Sequence, residues 1–254
     1  MNPSDAIQPG AIQLSPKLAP ADIHNLQKSQ RKMVTIFREF VRICDKYGLR
    51  FWCSGGTLIG VVRHQGWVPW DSDIDVCMLS ADYDRLQTVI SAELPPHLWF
   101  QDRNHTDKHY GAFCYVSGRI RDLQSQYKEI SSLSYHNGLQ LDIFAFDHNT
   151  EHNTLIFREM ELQNFECYTK DREAETKNRA CDIIFPVRSA EFEGIRVYVP
   201  NKVEEYCINA FGSYPPIMPP IECRYPHEGL TDPDEPSDFM SKQYPQLFER
   251  IKQK

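Results

Sequence analysis

Apolar residues spaced three and four apart define the first regular segment of the chain, between residues 22 and 47. This spacing is typical of an amphipathic helix that packs one face against a core. The positions on that face are Leu26, Met33, Val34, Phe37, Phe40, Val41 and Cys44. Gly48 follows directly, and glycine commonly ends a helix because it enters the left-handed backbone region without a steric penalty.

Alternating and short apolar runs then predict strands and helices in turn. Strands are expected at 49–53, 73–79, 97–101, 111–121 and 139–146, a hairpin at 183–199 turning near Glu193 and Gly194, and helices at 57–63, 80–93, 154–178 and 202–211. The proline-rich, acidic chain beyond residue 212 is expected to lie extended, without regular structure. Together these elements predict an α/β (α+β) fold with a mixed sheet. We expect a flexible arm over residues 1–21 and a single domain over residues 22–254.

Charge and composition narrow the classes of function. The 254 residues carry a formal net charge of −7, which argues against a protein that coats nucleic acid, since that role needs many phosphate-neutralising cations. No apolar run reaches the roughly 18–20 residues that span a bilayer. The N-terminus lacks the basic and apolar regions of a secretory signal. We therefore expect a cytoplasmic protein with no transmembrane segment and no nucleic-acid partner.

The eight cysteines form no CxxC pair, so the spacing of a zinc ribbon is absent. Several of them lie in apolar segments, where free cysteine behaves as a small hydrophobic residue. We expect reduced, structural thiols.

The chemistry is concentrated between Phe51 and Val76, where three aspartates alternate. Residues two apart on a strand project from the same face, so Asp73 and Asp75 are expected to place their carboxylates together. Two such charges about 4 Å apart repel by roughly 4 kcal/mol at an effective dielectric near 20. A divalent cation would offset this repulsion, and oxygen ligands favour Mg²⁺ or Mn²⁺. The competing interpretation is a solvated acidic turn without a metal.

Two further features favour the metal site. Gly55 and Gly56 lie between a strand and a short helix, where bare backbone N–H groups can receive a phosphate. Asp142 interrupts an apolar run, and a carboxylate there is costly unless it is paired or bound to metal. If its strand lies beside that of Asp73 and Asp75, three carboxylates converge. A tight turn and a water-facing edge residue are the alternatives.

The order Gly-Gly-Thr, Arg-His-x-Gly, Pro-Trp-Asp-x-Asp-x-Asp and then Leu-Asp-Ile-Phe resembles the LicD family. That family includes bacterial phosphocholine transferases and the animal fukutin-related proteins. The resemblance covers roughly residues 22 to 230 and implies a nucleotidyltransferase fold of the DNA polymerase β type with flanking helices. The zinc-binding insertion of fukutin-related protein has no visible counterpart here.

The resemblance also implies an activity: transfer of a phospho-alcohol, such as phosphocholine or ribitol phosphate, from a CDP-alcohol donor to a hydroxyl of a glycan or glycolipid acceptor, with release of CMP. It implies that Asp73, Asp75 and Asp142 are the catalytic metal ligands. The residues expected to contact the substrate phosphates are Gly55, Gly56, Thr57 and Arg63, with His64 beside them.

Other assignments stay open on the sequence. Arg119 and Arg121 alternate on a predicted strand and are candidates either for a phosphate contact or for a surface role. Candidate general bases besides Asp142 are His64, His136 and His227, and the tryptophans at 52, 67, 70 and 99 are candidates for a choline cage. Two rival functions are an NTP-dependent nucleotidyltransferase and a catalytically silent nucleotide- or glycan-binding protein.

Overall fold

A computed structural model describes residues 12–102, 116–128, 138–158 and 179–252. Its helices are α1 Pro20–Tyr47, α2 Gly55–His64, α3 Ser80–Glu93, α4 Cys181–Ile184, α5 Val203–Phe211, α6 Asp238–Gln243 and α7 Pro245–Lys252. Its strands are β1 Phe51–Cys53, β2 Ile74–Leu79, β3 Leu98–Asp102, β4 Gly118–Asp122, β5 Gln126–Tyr127, β6 Gln140–Asn149, β7 Thr154–Phe157, β8 Arg188–Phe192, β9 Ile195–Val199 and β10 Thr231–Asp232. A 3₁₀ turn covers Ile221–Cys223.

A six-stranded mixed sheet forms the centre of the structure, in the order β1-β2-β6-β4-β3 with β7 paired to β6. Strands β2 and β6 run parallel, and the other pairs are antiparallel. The remaining strands form two ribbons, β8 with β9 and β5 with β10. The predicted α/β fold with a mixed sheet is confirmed.

The two-residue period of β2 and β6 sends alternate side chains to opposite faces of the sheet. Ile74, Val76 and Met78 join the main core, together with buried residues of α1 and α3. Cys77 and Phe146 belong to a second, smaller cluster on the other face. Since Asp75 has the same parity as Cys77, its carboxylate belongs to that second face.

The long first helix follows its predicted pattern. Its buried residues include Met33, Phe37 and Phe40, and the rings of Phe37 and Phe40 contact Phe51 of β1 edge-on. The helix ends at Gly48, whose φ of 62° is left-handed. This helix covers one face of the sheet and leaves the other face to the site described below.

The predicted helix over 154–178 is wrong at its start. Residues Thr154–Phe157 form strand β7, paired with β6, because the chain reverses after Asn149, whose side chain accepts a hydrogen bond from the Glu151 amide at 3.0 Å. Leu155 is buried there while Ile156 is 47% exposed, which is the alternation of a half-buried strand. The rest of that prediction, residues 159–178, lies outside the described residues, as do residues 111–115 of the predicted strand at 111–121.

The expectation of an irregular tail is also wrong. Ser237 caps α6 by accepting a hydrogen bond from the Met240 amide at 3.4 Å. Met240 and Leu247 are buried against Trp99 and Leu123. This apolar contact with the sheet provides the packing that lets α6 and α7 form.

Part of the predicted flexible arm lies outside the described residues, and the part inside them, 12–19, contacts the tail. The Ser15 amide donates to the Arg224 carbonyl at 3.0 Å, and Arg224 donates to the Gln13 carbonyl at 3.0 Å. Among the described helices, none is both long enough and apolar enough to cross a membrane. The described cysteines are free thiols, and four of them are buried; their reduced, structural role stays a prediction.

Candidate active site

Three carboxylates meet where β2 and β6 run side by side. Asp75 and Asp142 are direct neighbours in the parallel register, and Asp73 lies one residue before β2. Each of the three offers an oxygen within 4.8 Å of the others. The predicted convergence is therefore present, while the catalytic and metal-binding roles stay predictions.

Burial makes this cluster electrostatically unfavourable when no cation is bound. Asp73 and Asp142 are only 3% and 4% exposed. Burial, followed by repulsion from Asp75 and Asp71, raises the pKa of Asp73 well above its usual range. Burial and repulsion from Asp142 do the same to the pKa of Asp75. One oxygen of Asp73 is buried and has no hydrogen-bond partner among the described residues, so it is available to a cation.

Asp142 forms an ion pair with an arginine of the adjacent strand. Arg119, on β4, contacts it through two nitrogens, Nε to Oδ1 at 2.7 Å and Nη2 to Oδ2 at 3.0 Å. Burial raises the pKa of Asp142, and the charges of Arg119 and then Arg121 oppose that rise. This forked pairing holds the carboxylate in one orientation beside Asp75.

Arg121 contacts the protein interior from the next residue of β4 on the same face. Its side chain is completely buried and donates to Gln101 Oε1 at 2.7 Å and to the Gly138 carbonyl at 2.9 Å. Arg121 is two residues from Arg119 and therefore projects from the same face of β4, where these contacts and its burial hold it below the surface. Its contact with a substrate stays a prediction.

Gly55 and Gly56 lie in close contact with the carboxylates of Asp75 and Asp71. Helix α2 begins at Gly55 itself, so Gly55 and Gly56 form its first turn rather than the turn predicted before it. A Cβ added to Gly55 would lie under 3.0 Å from Asp75 Oδ2, and one added to Gly56 would lie equally close to Asp71 Oδ2. Thr57 Oγ1 accepts a hydrogen bond from the Asp75 amide at 2.9 Å. The N-terminus of α2, with its unpaired N–H groups, therefore lies directly beside the carboxylates.

Arg63 and His64, at the end of α2, form a pair of their own. Arg63 Nε donates to His64 Nε2 at 2.8 Å, and its Nη1 donates to the Pro216 carbonyl at 3.0 Å. Burial and the neighbouring Arg63 charge lower the pKa of His64 to about 4, which keeps the imidazole neutral. The guanidinium groups of Arg63 and Arg224 lie 5.8 and 5.9 Å from the ring centre of Trp70. Two cations therefore lie near the residue that precedes Asp71.

A histidine from the tail completes the cluster. His227 approaches Asp71 at 3.6 Å and Asp73 at 3.7 Å, and it contacts Glu228 at 3.3 Å. The hydrogen bond with Glu228, followed by the charge of Asp71, raises the pKa of His227 to about 9. Its protonated ring supplies positive charge to the acids. The other histidine considered, His136, lies outside the described residues.

The chain from residue 48 to residue 202 matches the family described as LicD/FKTN/FKRP, nucleotidyltransferase domain. This match covers more than half of the chain and includes all three converging carboxylates. The chain belongs to the LicD family.

Two relatives show the range of the family. The lipopolysaccharide cholinephosphotransferase LicD of Haemophilus influenzae is 38% identical over 85 residues, covering 34% of this chain and 28% of that protein. The human ribitol 5-phosphate transferase FKRP is 34% identical over 56 residues, covering 22% of this chain and 11% of that protein. These alignments span less than a third of either relative.

Within this LicD domain the four tryptophans form no cage. Trp52 packs against Phe185, Trp67 against Phe192 and Trp99 against Tyr244, while Trp70 lies between the two arginines. Four separate environments exclude a shared ammonium site made of these side chains.

Sequence reasoning missed Asp71 as a member of the buried cluster, Arg119 as the partner of Asp142, and the tail residue Arg224. It named His227 only as a candidate general base and not as a contact of Asp71 and Asp73. The Asp71 carboxyl had a signal, because it continues the alternation of Asp73 and Asp75. The positions of Arg224 and His227 beside the site had none, since no local pattern shows which surface the tail packs against.

Proposed function

We propose that this protein is a metal-dependent phosphotransferase that moves a phospho-alcohol from a CDP-alcohol to a hydroxyl of a glycan or glycolipid and releases CMP. The observation that carries the proposal is the meeting of three buried carboxylates at the N-terminus of α2, inside a domain of the LicD family. The names of two relatives, a cholinephosphotransferase and a ribitol 5-phosphate transferase, both describe transfer of a phospho-alcohol. A cytoplasmic location stays a prediction.

The donor set fits a hard divalent cation. Asp73, Asp75 and Asp142 would hold Mg²⁺ or Mn²⁺, since these ions prefer carboxylate oxygens and since one buried oxygen of Asp73 has no other partner among the described residues. Such a cation neutralises phosphate charge and polarises the phosphoryl group.

The surrounding residues bind and orient the donor. The first N–H groups of α2, at Gly55 to Thr57, lie next to Asp75 and suit an anionic diphosphate. Arg63 and Arg224 add two positive charges beside Trp70. Arg119 fixes the Asp142 carboxylate, and His227 balances the charge of Asp71 and Asp73. A fixed arrangement of charges of this kind stabilises phosphoryl transfer with little covalent participation by the protein.

A thermal-shift screen tests the donor. Purified protein is heated with Mg²⁺ or Mn²⁺ and with CDP-choline, CDP-ribitol, CDP-glycerol or CTP. A ligand present at 100 times its Kd stabilises the folded state by about 2.7 kcal/mol. We expect one CDP-alcohol to raise the Tm only when the metal is present. The Asp73→Asn variant should lose this shift, and Asp147→Asn, an exposed carboxylate on the same strand as Asp142, should keep it.

The products decide between the rival functions. Incubation of the stabilising donor with a glycan extract should release CMP. Pyrophosphate release from CTP would identify an NTP-dependent nucleotidyltransferase instead. Calorimetry that detects no metal-dependent binding of any cytidine nucleotide would reject the transferase and favour a silent binding protein.

A further inference from the structure

A cavity of about 500 Å³ lies on the same face of the sheet as the acidic cluster. Its walls come from β1, β2, β6, β7 and α5, so it is framed by the central sheet and by regular elements around it. Ligand cavities in proteins are commonly of about 300–1,000 Å³ and mostly apolar. The cavity therefore has the size and setting of a small-molecule site.

Strand register connects this cavity to the carboxylates. Asp75 is paired with Asp142, and two residues further along the same two strands Cys77 is paired with Phe144. Residues two apart on a strand share a face and lie about 7 Å from each other. Cys77 and Phe144 line the cavity. The cavity therefore begins at the next residues on this face of the two strands after Asp75 and Asp142.

The cavity also reaches the N-terminus of α2. Ser54 and Gly55 form part of its wall, and Gly55 is the residue that lies against Asp75 Oδ2. A ligand whose phosphates occupy the first turn of α2 would thus extend the rest of its body into the cavity.

The aromatic side chains that line the cavity suit a flat, aromatic ligand. Aromatic side chains are the largest group in the walls, among them Phe144, Phe157 and Phe211, and such rings stack on nucleic-acid bases. Arg179 lies in the same wall, with its guanidinium 4.2 Å from the ring centre of Phe157. This positive charge opposes a quaternary ammonium such as choline and is compatible with a neutral base or a phosphate.

We propose that this cavity binds the nucleoside of the donor, with the cytosine base against the aromatic wall and the phosphates at Gly55. The inference rests on the proposed function, because it takes the donor to be a cytidine nucleotide. It leaves the alcohol and the acceptor to the opposite side of the carboxylates, away from the cavity.

A filling variant tests the assignment. Ala210 lies on α5, is exposed and lines the cavity, so Ala210→Trp should obstruct the cavity without removing a core side chain. Ala92→Trp is the matched control, since Ala92 is an exposed alanine of α3, the helix that covers the other face of the sheet.

Calorimetry with Mn²⁺ compares CMP with ribose 5-phosphate, which carries the same sugar phosphate without the base. Base–aromatic stacking contributes about 1–3 kcal/mol per base. We therefore expect wild type to bind CMP at least about fivefold more tightly than ribose 5-phosphate. Ala210→Trp should bring that ratio close to one while leaving ribose 5-phosphate binding unchanged, and Ala92→Trp should keep the wild-type ratio.

The outcomes separate the two proposals. Wild-type protein that binds CMP, together with an Ala210→Trp variant that binds it equally well, would overturn the cavity assignment and leave the proposed function standing. Wild-type protein that binds no cytidine nucleotide would overturn both. If Ala210→Trp shows no cooperative unfolding transition, Phe144→Leu replaces it, and a CMP to ribose 5-phosphate ratio equal to that of wild type in this variant rejects the assignment.

Discussion

Replacing Asp73 by asparagine should abolish transfer and at the same time make the metal-free protein more stable. Asp73 is almost fully buried, and its nearest charged neighbours include two other carboxylates. Asparagine has nearly the same shape but no charge, and its amide can donate to Asp71, which already forms a side-chain hydrogen bond with Asp73. The substitution therefore removes repulsion without opening a cavity.

The size of the effect follows from the geometry. Two carboxylate charges at the outer separation of 4.8 Å repel by about 3.5 kcal/mol at an effective dielectric near 20. Asp73 feels this from both Asp75 and Asp142, and it loses attraction to His227 at 3.7 Å, whose ring is largely exposed and screened. At a pH high enough to ionise all three carboxyl groups, we expect a net gain of about 2 kcal/mol, which corresponds to a rise in Tm of roughly 4–8 °C for a chain of this size. The gain is smaller at a pH where the raised pKa of Asp73 keeps its carboxyl group protonated.

Unfolding in urea and by heat, both in EDTA, measures this gain, and the same melts repeated with Mn²⁺ measure the metal response. Wild type should gain stability from the ion, and Asp73→Asn should gain little. The exposed Asp147→Asn variant should match wild type in both media. A folded Asp73→Asn protein that is less stable than wild type in EDTA would show that the attractive contacts of Asp73 outweigh the repulsion in this cluster, and wild-type turnover would remove Asp73 from the catalytic set.

Three further predictions test other parts of the site. Arg119→Leu should destabilise the metal-free protein by about 3 kcal/mol in urea, because it leaves the buried Asp142 charge unpaired; a change below about 0.5 kcal/mol would contradict the pairing. Gly55→Ala should reduce both stability and metal binding, because its φ is +49° and a Cβ would collide with Asp75. Gly194→Ala, with φ +72° and open space around it, should cost only about 1 kcal/mol and leave metal binding intact. Raised carboxyl pKa values in the folded state mean that metal-free stability falls as pH rises from about 4, so the Tm gain from Mn²⁺ should increase with pH, and a gain that is constant from pH 5 to 8 would refute this linkage.

The residues that the sequence could place are those governed by local periodicity. Alternation in β2 and β6 puts Asp75 and Asp142 on one face, and an apolar run around Asp142 indicates a central strand. The predicted convergence of the carboxylates assumes that these two strands lie side by side, and the sequence does not show that they do. Their pairing is a tertiary fact, and the register that makes Asp75 and Asp142 neighbours appears only in the structure.

Other features depend on contacts between segments far apart in the sequence. The spacing of Arg119 and Arg121 places both side chains on one face of their strand. Only the neighbouring strands determine that Arg119 pairs with Asp142 while Arg121 is buried. The tail reaches the site because β10 pairs with β5 and because Tyr127 of β5 donates to the Ser72 carbonyl at 2.9 Å. Composition rich in proline and acid gave no indication of this route.

The repulsion in the cluster must be offset by the packing of the scaffold around it. A few kcal/mol per carboxylate pair is a large share of a typical folding stability of about 5–15 kcal/mol, so the strands would separate if the core did not hold them. The register cannot slip by one residue, because that would move Ile74 and Val76 out of the core and the carboxylates into it. Helix α2 also restricts the movement of the acids, since Gly55 and Gly56 bring its backbone against Asp75 and Asp71. The apolar face of the sheet therefore fixes, through its own packing, the positions of the charges on the opposite face, and a cation bound there would meet carboxylates that are already in place.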